Sequence, residues 1–344
     1  MRPSFFYHLH PPSIPAKQAR FRYTLGAGGL GVFLMAILVI TGALELFYYV
    51  PTPAEAALSI QTLTYLVPFG GLVRNLHFWA AQLLLVVSVI HLVRIVFTGA
   101  YLPPRRFNYL LGLALFVFAI LLDFTGYILR WDQGIQWALV VGTNLIKTIP
   151  LAGDPLYMAL IGGVQPGMAT LVRFYAWHLF GLTIGAGILV FWHAFHVRRD
   201  GGIALPPPSL RTDHERIHRS ELARREVLAM LFGGAALLLL AIFSPAPLAP
   251  PITEITNVSG DARAPWFFLW VQQMLKWGDP FFWGVVAPLV VLLLLVLIPY
   301  VFPKPAESDL GSWFPKSNRL AQMALAVIAL LVILLTLLSL LPSA

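Results

Sequence analysis

The chain has no cysteine among its 344 residues. That excludes disulfides, thiolate metal sites and thioether attachment of any cofactor to this chain. Charge is scarce as well: Asp, Glu, Lys and Arg make up 11% of the residues, against 58% hydrophobic. So little charge cannot cover a soluble domain, and the composition reads as an all-α polytopic membrane protein. The surplus of eight positive charges follows membrane orientation rather than a nucleic-acid partner.

What is present is seven apolar runs of spanning length, near residues 24–50, 72–98, 108–130, 170–197, 222–243, 281–302 and 319–341. The stretch Met1 to Arg22 is basic but interrupted by prolines. It does not read as a cleaved signal, because the run after it is full spanning length. Lys and Arg collect on one side: the N-terminus, Arg94 to Arg106, Arg198 to Arg225, and Lys304 to Arg319. The positive-inside rule then predicts a cytoplasmic N-terminus and an outside C-terminus in a bacterial cytoplasmic membrane. Pro206 to Pro208 and the charged stretch after them divide the chain into a four-helix part, 1–205, and a three-helix part, 206–344. Between the third and fourth runs, Trp131 to Pro150 mixes apolar and polar residues and predicts one or two short interfacial helices.

The chemistry lies in the histidines. His77 and His91 are fourteen residues apart in the second run; His178 and His193 are fifteen apart in the fourth. Both spacings are close to four helical turns, so each pair shares a face, with about 21–23 Å between its members. One intramembrane histidine is commonly a hydrogen-bonded helix contact. Four, paired by depth across two helices, predict two bis-imidazole sites, the ligand set of two non-covalent b-type haems. His77 and His178 form the outer site, and His91 and His193 the inner one. His196, eighteen residues past His178, is permitted by periodicity alone; the depth of His91 favours His193. Gly28 and Gly42 in the first run, and Gly112 and Gly126 in the third, repeat the fourteen-residue period. Glycine there makes room for two macrocycles between the helices of a four-helix bundle.

Several motifs carry a resemblance: Arg74-Asn75-Leu76-His77, His91-Leu92-Val93-Arg94, Gly126-Tyr127-Ile128-Leu129-Arg130-Trp131-Asp132-Gln133, and Arg173-Phe174-Tyr175-Ala176-Trp177-His178. Together with Phe47 to Thr52 and the fifteen-residue spacing, they resemble the cytochrome b family of quinol:cytochrome c oxidoreductases. The likeness is to the b6f type, with its short cytochrome b here fused to its three-helix subunit. The resemblance implies the histidine assignment above. It places Arg74 and Arg173 beside the outer haem and Arg94 beside the inner one, where a guanidinium can pair with a propionate. It implies a quinol site on the outside with Tyr127, Trp266 and Phe267, where composition alone favours an ordinary interfacial belt for the aromatics, and a quinone site on the cytoplasmic side. His196, beside Arg198 and Arg199, is placed by its position either near that inner site or at a solvated helix end. The resemblance implies menaquinone or ubiquinone, a Rieske-type iron–sulfur subunit, a c-type cytochrome and a homodimeric complex.

Two departures stand out. The family's outer-site Pro-Glu-Trp-Tyr motif supplies a glutamate that accepts a quinol proton. The aligned residues are Ala264-Pro265-Trp266-Phe267, and Pro265 has no titratable group. Asp261, four residues earlier in the loop, is the candidate replacement, ahead of Glu254 and Asp132. The extra cysteine-linked haem of the b6f type is not expected, because no cysteine is present. The leading expectation is the dihaem subunit that moves electrons across the membrane between the two quinone sites. Two others compete with it: a dihaem, quinone-linked anchor of another periplasmic redox complex without electron bifurcation, and a haem-free transporter or structural subunit.

Overall fold

The computed structural model describes residues 9–211, 214–252 and 263–341. Among these residues, seven helices are long and apolar enough to span a membrane: α1 Ala27–Glu45, α2 Gly70–Phe97, α3 Arg106–Leu129, α4 Met168–Arg199, α5 Arg219–Phe243, α6 Phe282–Val301 and α7 Lys316–Ser339. Most of their side chains face outward, and their long apolar runs are what a lipid phase tolerates once every backbone polar group is paired within a helix.

α1 is shorter than the first apolar run. Leu46 to Val50 leave the helix ahead of Pro51 and Pro53, since a residue before proline is pushed out of the helical region. The stretch after α3 forms two short helices, Gln136–Lys147 and Gly153–Ile161. A further short helix, Ala56–Tyr65, precedes α2.

Polar side chains stitch the four-helix part to the rest. On α2, Asn75 Nδ2 donates to Ala241 O at 2.8 Å, and Trp79 Nε1 donates to Ser244 O at 2.6 Å. Tyr101, whose phenol burial pushes up to about 12, donates to Asn318 Oδ1 at 2.6 Å. The proline-rich connection also returns to the N-terminal segment. Arg216–His218 pairs antiparallel with Ser13–Pro15, with Ile217 opposite Ile14, in a two-stranded ribbon among otherwise helical elements. Apolar cores form at both ends of the bundle, one around Trp131, Ile128 and Leu171, the other around Val96, Tyr109 and Ile298.

Candidate cofactor site

α2 and α4 bring the four histidines together in the two pairs read from spacing. The ring centroids of His77 and His178 are 6.4 Å apart, and those of His91 and His193 are 6.3 Å apart. A metal–imidazole bond of about 2.0–2.1 Å on each side, plus the radius of each ring, accounts for such a separation. Among the described residues, no three His, Asp or Glu side chains converge on a metal-sized site. Two imidazoles alone leave most positions of a metal open, so a group that brings its own equatorial donors suits each pair.

The unequal spacings are reconciled by the backbone. Fifteen residues of regular helix would turn His193 about 100° further than fourteen. α4 contains a π-helical stretch, Trp177–Leu182, directly at His178. A π-bulge accommodates one extra residue, which returns His193 to the face that meets His91. The Thr183 hydroxyl donates to the carbonyl of His178 within that bulge.

Three of the four rings are oriented through Nδ1. The Thr41 hydroxyl is spent on Ile37 O at 2.7 Å, so at its 2.9 Å contact with His77 Nδ1 it accepts. Thr125 does the same: it donates to Leu121 O and accepts from His178 Nδ1 at 3.0 Å. His193 Nδ1 donates to Asn108 O at 3.1 Å. A ring whose Nδ1 carries the proton has its lone pair on Nε2, the form that ligates a metal. Among the described residues, His91 Nδ1 has no hydrogen-bond partner. Thr41, Thr125 and Asn108 were not read from the sequence. The repeated pair Thr41-Gly42 and Thr125-Gly126 is the signal from which two of them could have been found.

The glycines lie against the imidazoles themselves. A Cβ at Gly126 would sit 2.8 Å from His178 Cε1, at Gly42 3.0 Å from His77 Cε1, at Gly112 3.3 Å from His193 Cε1, and at Gly28 3.7 Å from His91 Cε1. These rings are held by neighbours and have little room to retreat. Gly126→Ala and Gly42→Ala are therefore expected to displace their histidines, while Gly28→Ala meets ordinary van der Waals contact. Haem content of the three variants, read from the reduced absorbance spectrum, checks that order.

A cavity of about 1000 Å³ opens beside the second pair, lined by Gly28, His91, Gly112 and His193. Arg94, buried on α2, also faces it, with Nε donating to Tyr23 O at 3.2 Å and its guanidinium 4.6 Å from the Tyr23 ring centroid. Its Nη2 is buried with no hydrogen-bond partner among the described residues. An unpaired guanidinium donor beside two imidazoles fits an acidic, macrocyclic metal group such as haem. Arg198 lines the same cavity.

Residues 14–201 match the family described as cytochrome b/b6/petB. The chain belongs to the cytochrome b family. It is 34% identical over 192 residues to cytochrome b6 of Heliomicrobium gestii, a match that takes in 56% of this chain and 88% of that protein. Cytochrome b6 of Heliobacterium modesticaldum is 36% identical over 193 residues, with the same coverage. A chain of a hyperthermophilic respiratory Complex III shares the fold at a TM-score of 0.75 and 21% identity, covering 92% of this chain and 91% of that one. At that coverage the likeness extends past residue 201 into the C-terminal helices, in accord with a fused subunit-like part. The chain is thus an integral membrane cytochrome b of a quinol oxidoreductase, and cytochromes b bind haem b.

The remaining expected residues fall as follows. Arg74 is buried at the start of α2 and clamps the segment after α5, donating to Ala246 O at 3.0 Å and Pro247 O at 2.6 Å. Arg173 donates to the carbonyls of Met158 and Ala159. The Tyr127 hydroxyl is taken by Gly134 O at 2.7 Å. Trp266 is partly exposed and stacks edge-on with Phe267 at 5.9 Å. Asp132 is buried in a 2.7 Å ion pair with Arg130, so it is not a free base. Asp261 and Glu254 lie outside the described residues. His196 does not line the cavity beside Arg198. It is only 4% exposed, packed against Phe107 at 5.1 Å and Trp192 at 6.2 Å, with Nδ1 4.0 Å from Asp200 Oδ2. A side chain so enclosed is neither a solvated helix end nor open to a quinone in that cavity.

Proposed function

We propose that the chain is the dihaem cytochrome b of a quinol:cytochrome c oxidoreductase and carries electrons across the membrane between two quinone sites. His77 with His178, and His91 with His193, each hold one non-covalent haem b. The observation that carries this reading is the pair of ring separations, 6.4 and 6.3 Å, on two helices at matched depths. At about 1.5 Å per residue the two sites are roughly 20 Å apart along the helices, a large part of a hydrocarbon core of about 30 Å.

A haem held by each histidine pair would supply one-electron uptake and release. The chain's part is positional and electrostatic. Thr41, Thr125 and Asn108 hold three imidazoles in the tautomer that exposes Nε2. Arg94 offers a buried positive charge to a propionate. The apolar helices keep water from the path. Quinol is oxidised towards the outside, one electron leaving for a Rieske-type subunit and a c-type cytochrome. The other is delivered to a quinone, menaquinone or ubiquinone, on the cytoplasmic side. The N-terminus is cytoplasmic in this reading, and the complex is a homodimer.

Pyridine haemochrome analysis of the purified protein is expected to give two haems per chain, both extractable with acid acetone because no cysteine can hold them. One haem per chain, or haem retained after extraction, sinks the assignment. Subunit identification in the intact complex checks the iron–sulfur partner.

A further inference from the structure

One acidic side chain inside the membrane helices has no role in holding the histidines. Asp123 lies on α3 between Leu122 and Phe124, six residues before the helix ends at Leu129. That is about 9 Å inward along the axis. An acid at such a depth is costly and commonly functional. Among the described residues no Lys, Arg or His forms an ion pair with it. From α2 it meets Gln82, whose Nε2 donates to its two carboxyl oxygens at 3.0 and 3.3 Å. The other end of that amide, Oε1, accepts from Trp266 Nε1 at 2.6 Å. An indole N–H can only donate, so the amide orientation is settled: Gln82 must present its NH₂ to Asp123. Both Asp123 oxygens are thereby supported as acceptors.

The same place is walled by aromatics. Phe124, the next residue, meets Phe268 edge-on at 5.7 Å, and Phe267 lies 4.8 Å from Phe268. Trp266, Phe267 and Phe268 follow Pro265 directly. The segment that carries Pro265 in place of the family's glutamate is thus hydrogen-bonded, through one glutamine, to a membrane-embedded carboxyl group. Of the other buried acids described at this end, Asp132 is paired with Arg130, and Glu45 ends α1 with Arg74 as its neighbouring charge and is the rival to Asp123.

We propose that Asp123 accepts a proton from a quinol bound between α3 and the 264–268 segment, in the position left without a base by Pro265. The proposal rests on the quinol-oxidising reading above. In the step, a quinol O–H bond breaks and an O–H bond forms on the Asp123 carboxylate. The second hydroxyl proton goes to water. The two electrons leave to two one-electron acceptors, an external iron–sulfur protein and the haem held by His77 and His178. Quinol and carboxylate become quinone, carboxylic acid, one proton and two electrons. Gln82 is a positioning residue.

The test uses the purified complex with the inner quinone site inhibited. Haem reduction by decylubiquinol or menadiol is followed by stopped flow against pH. Asp123→Asn is expected to slow it on the order of 100-fold and to flatten its pH profile, with haem content unchanged. Asp123→Glu recovers most of the rate with a displaced profile. Infrared difference spectra on quinone binding should show a carboxyl band that Asp123→Asn removes and Gln82→Leu shifts. Wild-type rate and profile in Asp123→Asn, or loss of both in Glu45→Gln instead, overturns the assignment while the quinol-oxidising reading stands. If Asp123→Asn does not retain haem, an unshifted profile in Asp123→Glu overturns it. If the wild-type complex shows no such reduction with either quinol, the quinol-oxidising reading falls, and this assignment with it.

Discussion

His193→Ala is expected to remove one of two haems, and His196→Ala to remove neither. The two residues are one helical turn apart and both carry an imidazole, so the contrast isolates geometry from chemistry. His193 meets His91 at 6.3 Å, with Nδ1 bonded to Asn108 O. His196 is instead enclosed by Phe107, Trp192 and Phe195, with Asp200 one turn on. A haem that His91 and His193 would hold loses half of its protein ligands in the His193 variant, so the expected effect is near-complete loss of that haem. The pyridine haemochrome should fall from two haems to one per chain, and redox titration should lose one of its two steps. Loss of haem in the His196 variant with both retained in the His193 variant would reverse the assignment.

Much of this was legible in the residues. The seven spans follow from runs long enough to cross a bilayer, and observed ends differ from the expected ones mostly by two or three residues, where basic residues extend a helix past its apolar run. Arg106 and Arg199 are such ends. The pairing of His77 with His178, and of His91 with His193, follows from spacing because a helix has a fixed pitch. What spacing does not contain is the π-bulge: fifteen residues against fourteen is a one-residue surplus, and a surplus does not say where the helix absorbs it. The role of the four glycines was read too generally. They clear space for imidazole rings, each against a named histidine, and that is a side-chain contact between helices no single run displays. Gln82 and Asp123 were passed over because each sits singly in an apolar run. They are forty-one residues apart and gain meaning only when α2 and α3 are side by side. Arg74 was read as a haem-side charge, while the structure gives its donors to two carbonyls of a segment more than 170 residues away.

Those carbonyls belong to a junction whose strongest element is an ion pair, and breaking it should be costly. Asp132 follows α3 and is 1% exposed at its side chain; Arg130 is 11% exposed. The pair is bidentate, with Arg130 Nη2 at 2.9 Å from Oδ1 and 2.7 Å from Oδ2, and Nε at 3.0 Å from Oδ2. Asp132 also accepts from Ala249 N at 3.1 Å, and the adjacent Gln133 N donates to Pro250 O at 2.9 Å. Asp132 therefore ties the end of α3 to the segment after α5, which Arg74 grips at Ala246 and Pro247. Asp132→Ala leaves a buried guanidinium without its counter-ion and an amide without its acceptor. Removing one member of a buried pair costs about 3–5 kcal/mol, far more than the pair contributes over two apolar residues. Thermal unfolding in detergent should show a large loss of stability, with proteolytic cleavage appearing between residues 244 and 252. Arg130→Met combined with Asp132→Leu should recover most of that stability, because no buried charge is then left unpaired. If the double variant is as unstable as Asp132→Ala, the junction depends on the backbone contact to Ala249 and not on the charge pair.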